Sequence, residues 1–205
     1  MLKIVTAITG ASGVIYGKRF VEEVNRLGHK QTLLITEAGE KVLSQELDLS
    51  IKKDNPLASI QAEWDLSRPD LISREKIDDI TAKIASGSRA PDAVVVIPCT
   101  MGTLARVAHG FSSNLLERVC DVALKENKKL ILVPRETPLN QIHLENMLAL
   151  KKMGADVVPA MPAFYNHPRS ISELIDFVVG RVLDHLQLEH SLYQRWKGVH
   201  DNDDK

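Results

Sequence analysis

Short runs of aliphatic and β-branched residues recur along the chain at Lys3 to Ile8, Gln31 to Thr36, Asp92 to Pro98 and Lys129 to Pro134, with a weaker fifth at Ala155 to Pro159. They are nearly continuous rather than alternating, which is the pattern of strands buried on both faces of a parallel sheet. Helical spacing fills the intervals. Val14, Phe20, Val21, Val24 and Leu27 lead up to Gly28, and further helices are predicted over Glu37 to Leu47, Glu75 to Ala85, Ser113 to Glu126 and Asn140 to Met153. The last helix is the clearest: Ser170 and Glu173 have capping-box spacing, and Leu174, Val178, Val182 and Leu186 form one stripe as far as Gln187. Between Asp48 and Arg74, Pro56 and Pro69 predict an irregular excursion that still carries apolar residues. The alternation defines an α/β fold, a doubly wound parallel sheet, with ligands expected at the carboxyl ends of its strands.

At 205 residues the chain fits a single domain that can bury roughly 70% of its unfolded surface. That domain is expected over residues 1–190, followed by a segment, 191–205, that holds Tyr193 and Trp196 and ends in the solvated run Asp201 to Lys205. With 26 Lys and Arg against 27 Asp and Glu, no global field draws nucleic acid or an anionic membrane, so phosphate recognition must be local. No uncharged run approaches the roughly 18 residues of a membrane span, and the chain opens without the pattern of a secretory leader. Cys99 and Cys120 lack metal or redox spacing and are expected as packed, reduced thiols, which together with the missing leader points to the cytoplasm.

Chemistry is expected just after the strands. Thr9-Gly10-Ala11-Ser12-Gly13, with Gly17 one turn later, lets the backbone approach an anion at a helix N-terminus while Ser12 adds a hydroxyl; the alternative is a tight turn without a ligand. The glycine spacing departs from G-x-G-x-x-G, and the second strand ends in Thr36 without a clear ribose-binding acid, which disfavours a nicotinamide dinucleotide. Thr100, Met101, Gly102 and Thr103 offer donors after the third strand, or a helix cap. Arg135 and Glu136 follow the fourth strand, either as a surface ion pair or, with Arg118, Lys125 and Arg181, as part of a local cationic pocket suited to phosphate oxygens. Tyr165 lies in the aromatic loop Pro162 to Pro168, as a substrate wall or a core plug. The seven histidines form no metal-binding pattern, and Asp78-Asp79 does not continue as D-D-x-x-D, so no metal is expected to be required. Tyr193 to Lys197 has the Y-x-x-x-K spacing of short-chain dehydrogenases, but it follows the last helix and reads as chance.

Thr9 to Gly13, Pro98-Cys99-Thr100-Met101-Gly102-Thr103-Leu104, Asp121 to Glu126, Val133-Pro134-Arg135-Glu136-Thr137-Pro138, His143 to Met147 and Pro162 to Tyr165 together, in this order, closely resemble the UbiX-like flavin prenyltransferases, especially those accompanying phenolic acid decarboxylases. The resemblance covers Lys3 to Gly198. It implies a Rossmann-like homododecamer that joins a dimethylallyl group from dimethylallyl phosphate to N5 and C6 of reduced FMN, without a metal. The prenylated FMN product would serve a UbiD-like decarboxylase. By matching motifs, Gly10, Ala11, Ser12, Thr36, Thr100, Met101, Gly102, Thr103 and Arg135 would bind FMN. Tyr165 and Arg181, with Lys125 from a neighbouring subunit, would hold the donor phosphate, Glu136 would handle its proton, Glu46 would assist proton transfer, Ser12 would sit near N5, and Trp196 would close the site or merely dock the tail. Where some members carry a Trp before Ser-Gly-Ser, this chain has Ile80 ahead of Ser86-Gly87-Ser88. The FMN-dependent cysteine decarboxylases need P-x-M-N-x-x-M-W, whereas Pro159-Ala160-Met161 here continues as Pro162. A subunit that only binds FMN is the alternative from outside enzymology; it would have no use for Glu46, Glu136 or Arg181.

Overall fold

The computed structural model describes residues 1–196; Lys197, Gly198 and the acidic run Asp201 to Lys205 lie outside them. The chain divides into two compact units, Met1–Ala160 and Met161–Lys205.

The first unit is a six-stranded, wholly parallel sheet in the order β3-β2-β1-β4-β5-β6. Its strands are β1 (Lys3–Ile8), β2 (Lys30–Ile35), β3 (Ile72–Arg74), β4 (Ala93–Cys99), β5 (Lys129–Pro134) and β6 (Asp156–Val157). The helices are α1 (Val14–Arg26), α2 (Glu37–Leu47), α3 (Pro56–Glu63), α4 (Met101–Ala108), α5 (Leu115–Lys125) and α6 (Gln141–Lys152). Successive strand residues face opposite sides, so each face has its own core. Leu33, Ile35 and Ile8 pack with Val14 and Val21 of α1, Leu43 of α2 and Ile60 of α3. Leu34, Val5, Val94 and Val96 pack with Leu104 of α4, Val119 of α5 and Leu150 of α6. The strand order reverses between β1 and β4, and at such a switch point the carboxyl ends of neighbouring strands open a crevice.

Two expectations for the region between β2 and β4 are corrected. The Asp48 to Arg74 excursion contains α3 and the edge strand β3. Asn55 caps α3 by accepting from the Ala58 amide, and Pro56 begins it. β3 is only three residues long and is set by its pairing of Ile72 with Gln31. The helix expected over Glu75 to Ala85 is instead a series of turns with short 3-10 segments at Lys83–Ala85 and Gly87–Arg89. Ile77 and Ile84 do reach the core, but Ile80 is exposed, and the Asp79 carboxylate accepts from the Thr81 amide and hydroxyl, a local bond that competes with a helix.

The second unit contains α7 (Ile171–His185). Ser170 accepts from the Glu173 amide as the cap requires, while Glu173 reaches one residue further back than a capping box does, to the Arg169 amide.

Candidate active site

Four loops meet at the carboxyl edge of the sheet, and backbone groups join them. Thr9 ends β1; its hydroxyl donates to the Pro98 carbonyl at 2.8 Å and accepts from the Thr100 amide at 2.9 Å. Thr100 caps α4, accepting from the Thr103 amide at 3.1 Å, with the two hydroxyls 2.9 Å apart. Thr36 caps α2 by accepting from the Gly39 amide, and its own amide donates to the Ile8 carbonyl at 3.1 Å. This closeness is built on glycine: a Cβ on Gly10 would lie 2.5 Å from that of Ala38, and one on Gly39 would lie 2.7 Å from the Ile8 carbonyl oxygen. Gly13 has φ +97°, which side-chain-bearing residues rarely adopt.

The free amides at the start of α1, which the sequence reading offers to a phosphate, are occupied by the chain's own carboxylate. Glu46 in the last turn of α2 accepts from the Gly13 amide at 2.9 Å and from the Val14 amide at 3.3 Å. A carboxylate there gains from both the bonds and the positive end of the helix. Ser12 beside it is exposed, and its carbonyl accepts from Arg135 Nε at 3.0 Å, which turns Arg135 back over the β1–α1 turn. Tyr16 lies next to them; burial pushes its phenol pKa up, partly offset by the Arg135 charge.

A flat, phosphate-bearing cofactor suits this edge. Ser12 is exposed, Thr100 is partly exposed, and a Cβ on Gly102 would meet the Arg106 guanidinium at an ordinary contact distance of 3.7 Å. Met101 and Thr103 are buried beneath that turn, and Ala11 is buried under the β1–α1 loop. Arg135 supplies positive charge. Glu136 is exposed and accepts from the Thr137 amide at 3.1 Å. Cys99 is fully buried and its thiol is pushed up to about 12 by that burial; Cys120 is buried and raised in the same direction. Neither is poised as a nucleophile.

The other cations lie elsewhere. Arg118 pairs with Asp121 at 3.1 Å on α5. Lys125 ends α5, and β5 begins four residues later at Lys129, so Lys125 stands at the amino edge of the sheet. Six strand residues at about 3.3 Å each separate that edge from Arg135, roughly 20 Å. Lys125 therefore cannot join the carboxyl-edge site of its own chain.

The second unit brings its predicted residues together. Tyr165 stacks edge-on against Phe177 with ring centres 5.9 Å apart and against Trp196 at 5.6 Å. Arg181 donates to Asp184 at 3.1 Å and to the Tyr193 hydroxyl at 3.4 Å. Tyr193, set aside in the sequence as a chance match, proves to be central here, while Lys197 of that match lies outside the described residues. Sequence reasoning also passed over Thr9, Tyr16 and Asp184. In the sequence Thr9 stands out only as part of its turn, and nothing in the local pattern marks Asp184 as more than one acid on a polar helix face.

Residues 1–183 match the Flavoprotein family, a span that contains the whole sheet and most of α7. The flavin prenyltransferase UbiX of Halalkalibacterium halodurans is 50% identical over 200 residues, covering 95% of this chain and 93% of that protein. Among solved structures, AnUbiX (PadA1) in complex with FMN and dimethylallyl pyrophosphate superposes with a TM-score of 0.84 at 38% identity, over 96% of this chain and 98% of that one. A dodecameric FMN-dependent UbiX-like decarboxylase from Escherichia coli O157:H7 gives 0.85 at 38% identity, over 96% of this chain and 100% of that one. The chain belongs to the Flavoprotein family and, within it, to the UbiX flavin prenyltransferases, enzymes that transfer a prenyl group.

Proposed function

We propose that this chain joins the dimethylallyl group of dimethylallyl phosphate to N5 and C6 of reduced FMN, releasing the phosphate, and that the prenylated FMN serves a UbiD-like decarboxylase of phenolic acids. The observation that carries the flavin half is the interlocked carboxyl edge, where the Thr9 hydroxyl accepts from the Thr100 amide and Arg135 bonds to the carbonyl of the exposed Ser12. The solved relative with FMN and dimethylallyl pyrophosphate supports the pairing of the two ligands. Reduced FMN would supply two nucleophiles: N5, bonding the allylic carbon as its bond to the phosphate oxygen breaks and N5 gives up its proton, and C6, bonding the far alkene carbon as the central alkene carbon takes up a proton and C6 loses one.

The chain's residues supply the rest. Ser12, Thr36, Thr100 to Thr103 and Arg135 hold and orient the flavin, with Gly10 and Ala11 admitting it to the backbone. Arg181 and Tyr165 bind the donor phosphate, and cations in this role offset the charge that grows on the leaving oxygens, so that no metal ion is needed. Tyr165 and Trp196 present ring faces to the carbocation-like fragment, which the π-system favours. Glu136 delivers a proton to the leaving phosphate, and Glu46, held by the Gly13 and Val14 amides, receives the proton lost from the ring carbon.

Lys125 would complete the phosphate site from a neighbouring copy. This reading is supported by its place at the amino edge, by the exposed apolar residues Ile142, Leu144 and Leu148 of α6, and by the dodecameric relative. Arg118 is assigned to the same interface cation set.

The test is anaerobic incubation of the purified protein with reduced FMN and either dimethylallyl phosphate or the pyrophosphate, followed by mass spectrometry of the released flavin. The expected product is FMN heavier by one dimethylallyl-derived unit, formed without added divalent cation. Unmodified FMN, recovered from protein shown to bind it, defeats the proposal.

A further inference from the structure

We propose that Asp184 is the positioning residue of the donor side, and that it fastens Arg181 and the segment Leu188 to Trp196 into one assembly. This rests on the reading that Arg181, Tyr165 and Trp196 face the donor. Four side chains converge on this one carboxylate. Arg181 Nη1 reaches it at 3.1 Å and His190 Nε2 at 3.2 Å, and Tyr193 Oη and Arg195 Nη2 donate to it as well. Asp184 lies one turn beyond Arg181 on α7, and its side chain is only 12% exposed. Burial pushes its carboxyl upward, yet the bonds from Tyr193 and His190 and the Arg195 charge outweigh that and hold it below the usual carboxylate range.

The socket beneath Tyr193 is a separate observation. A Cβ on Gly180 would lie 2.5 and 2.6 Å from the Tyr193 ring and 2.8 Å from His190 Cε1, so only glycine lets the segment lie down on α7. Phe177 flanks the ring at 5.0 Å. The Tyr193 hydroxyl, donating to Asp184, accepts from Arg181 at 3.4 Å, so the guanidinium is oriented by the same pair that holds the segment. Three residues later Trp196 meets Tyr165. The phosphate-binding arginine and the aromatic wall are thus set by one latch, and an arginine pre-oriented in this way loses less rotamer freedom when the donor arrives.

A cluster of this kind could serve stability alone, and the test separates the two roles. Tyr193→Phe keeps the ring in its socket and removes only the hydroxyl; Asp184→Asn, Asp184→Glu and Gly180→Ala complete the set. The prenylation assay gives KM for dimethylallyl phosphate, alongside FMN affinity, thermal unfolding and the Trp196 emission obtained by difference from Trp196→Phe. The proposal expects KM to rise about ten- to hundredfold in Tyr193→Phe and Asp184→Asn with FMN affinity unchanged, partial recovery in Asp184→Glu, and a red shift of Trp196 emission in Gly180→Ala. An unchanged KM in Tyr193→Phe and Asp184→Asn, or a KM that worsens only in step with FMN affinity and unfolding temperature, overturns the role of Asp184 while leaving the prenyltransferase reading intact. A wild type that binds FMN and makes no prenylated flavin overturns that reading and the donor role of Asp184 together.

Discussion

The β1–α1 turn and the segment after α7 hold their functional groups by opposite means. At the turn, Thr9, Thr36 and Thr100 bond to backbone carbonyls and amides of neighbouring loops, and glycines at 10 and 39 let those backbones touch. After α7, side chains do the work: a carboxylate gathers two arginines, a histidine and a tyrosine, and rings stack on rings. Backbone bonds between buried strands and helices are formed with the fold itself, so the sheet positions the groups at its carboxyl edge. Side-chain clusters on a single helix can be undone one residue at a time without unfolding the sheet. On the proposed function, the difference would separate a cofactor cradle held by the fold from a donor site held by side chains.

The sharpest way to break this division is to change chemistry without changing either scaffold. Glu136 is exposed and accepts from the neighbouring Thr137 amide, so Glu136→Gln is expected to lower turnover by about 10²–10⁴-fold while FMN affinity and unfolding temperature stay as they were. Steady-state kinetics beside flavin titration checks it. Next in size, Arg135→Ala removes the charge that bends over Ser12, and FMN binding is expected to weaken by about ten- to hundredfold, measured by flavin fluorescence quenching. The two glycine substitutions then probe the scaffolds directly. A Cβ on Gly17 would sit 2.5 Å from the Ile97 carbonyl oxygen and 3.0 Å from Ile8, so Gly17→Ala is expected to cost about 1–3 kcal/mol of global stability, seen as a lower Tm. Gly180→Ala is expected to leave the main transition nearly in place and release only the segment over α7.

A further prediction concerns the thiols. Cys99 ionises in the unfolded chain near the ordinary thiol value, whereas burial raises it to about 12 in the fold. An acid with a raised folded pKa contributes stability that is intact below its unfolded pKa and is lost as pH climbs toward the folded value. Denaturant melts should therefore show stability declining between about pH 9 and 12, and a thiol reagent at neutral pH should leave both cysteines unlabelled until the chain unfolds.

The contrast between the two regions also explains what the sequence revealed. β1, β2, β4 and β5 announce themselves because strands buried on both faces must be apolar throughout, and α2 runs from Glu37 to Leu47 as its spacing predicts. β3 is invisible in isolation: one isoleucine in three residues becomes a strand only because Gln31 and Thr32 lie beside it. Ile77, Ile80 and Ile84 mimic a helical stripe, yet Ile77 and Ile84 reach the core from turns, since anchoring needs only two contacts and not a continuous face. The candidate site divides in the same way. Glycines, threonines and Arg135 at the strand ends are legible because topology alone brings strand ends together. That Glu46 would take the α1 amides, and that Asp184 would gather four donors, depends on side-chain reach across elements, which spacing does not encode.

The most direct test of a cradle paired with a latch is a crystal structure of the full oligomer with FMN and dimethylallyl phosphate bound. The account predicts the donor's phosphate on Arg181 and Tyr165 of one protomer and Lys125 of a neighbour, with Tyr193 still seated on Gly180 and bonded to Asp184. A phosphate bound away from Arg181 and Tyr165, or a Tyr193 lifted from its socket while the donor is in place, would contradict it.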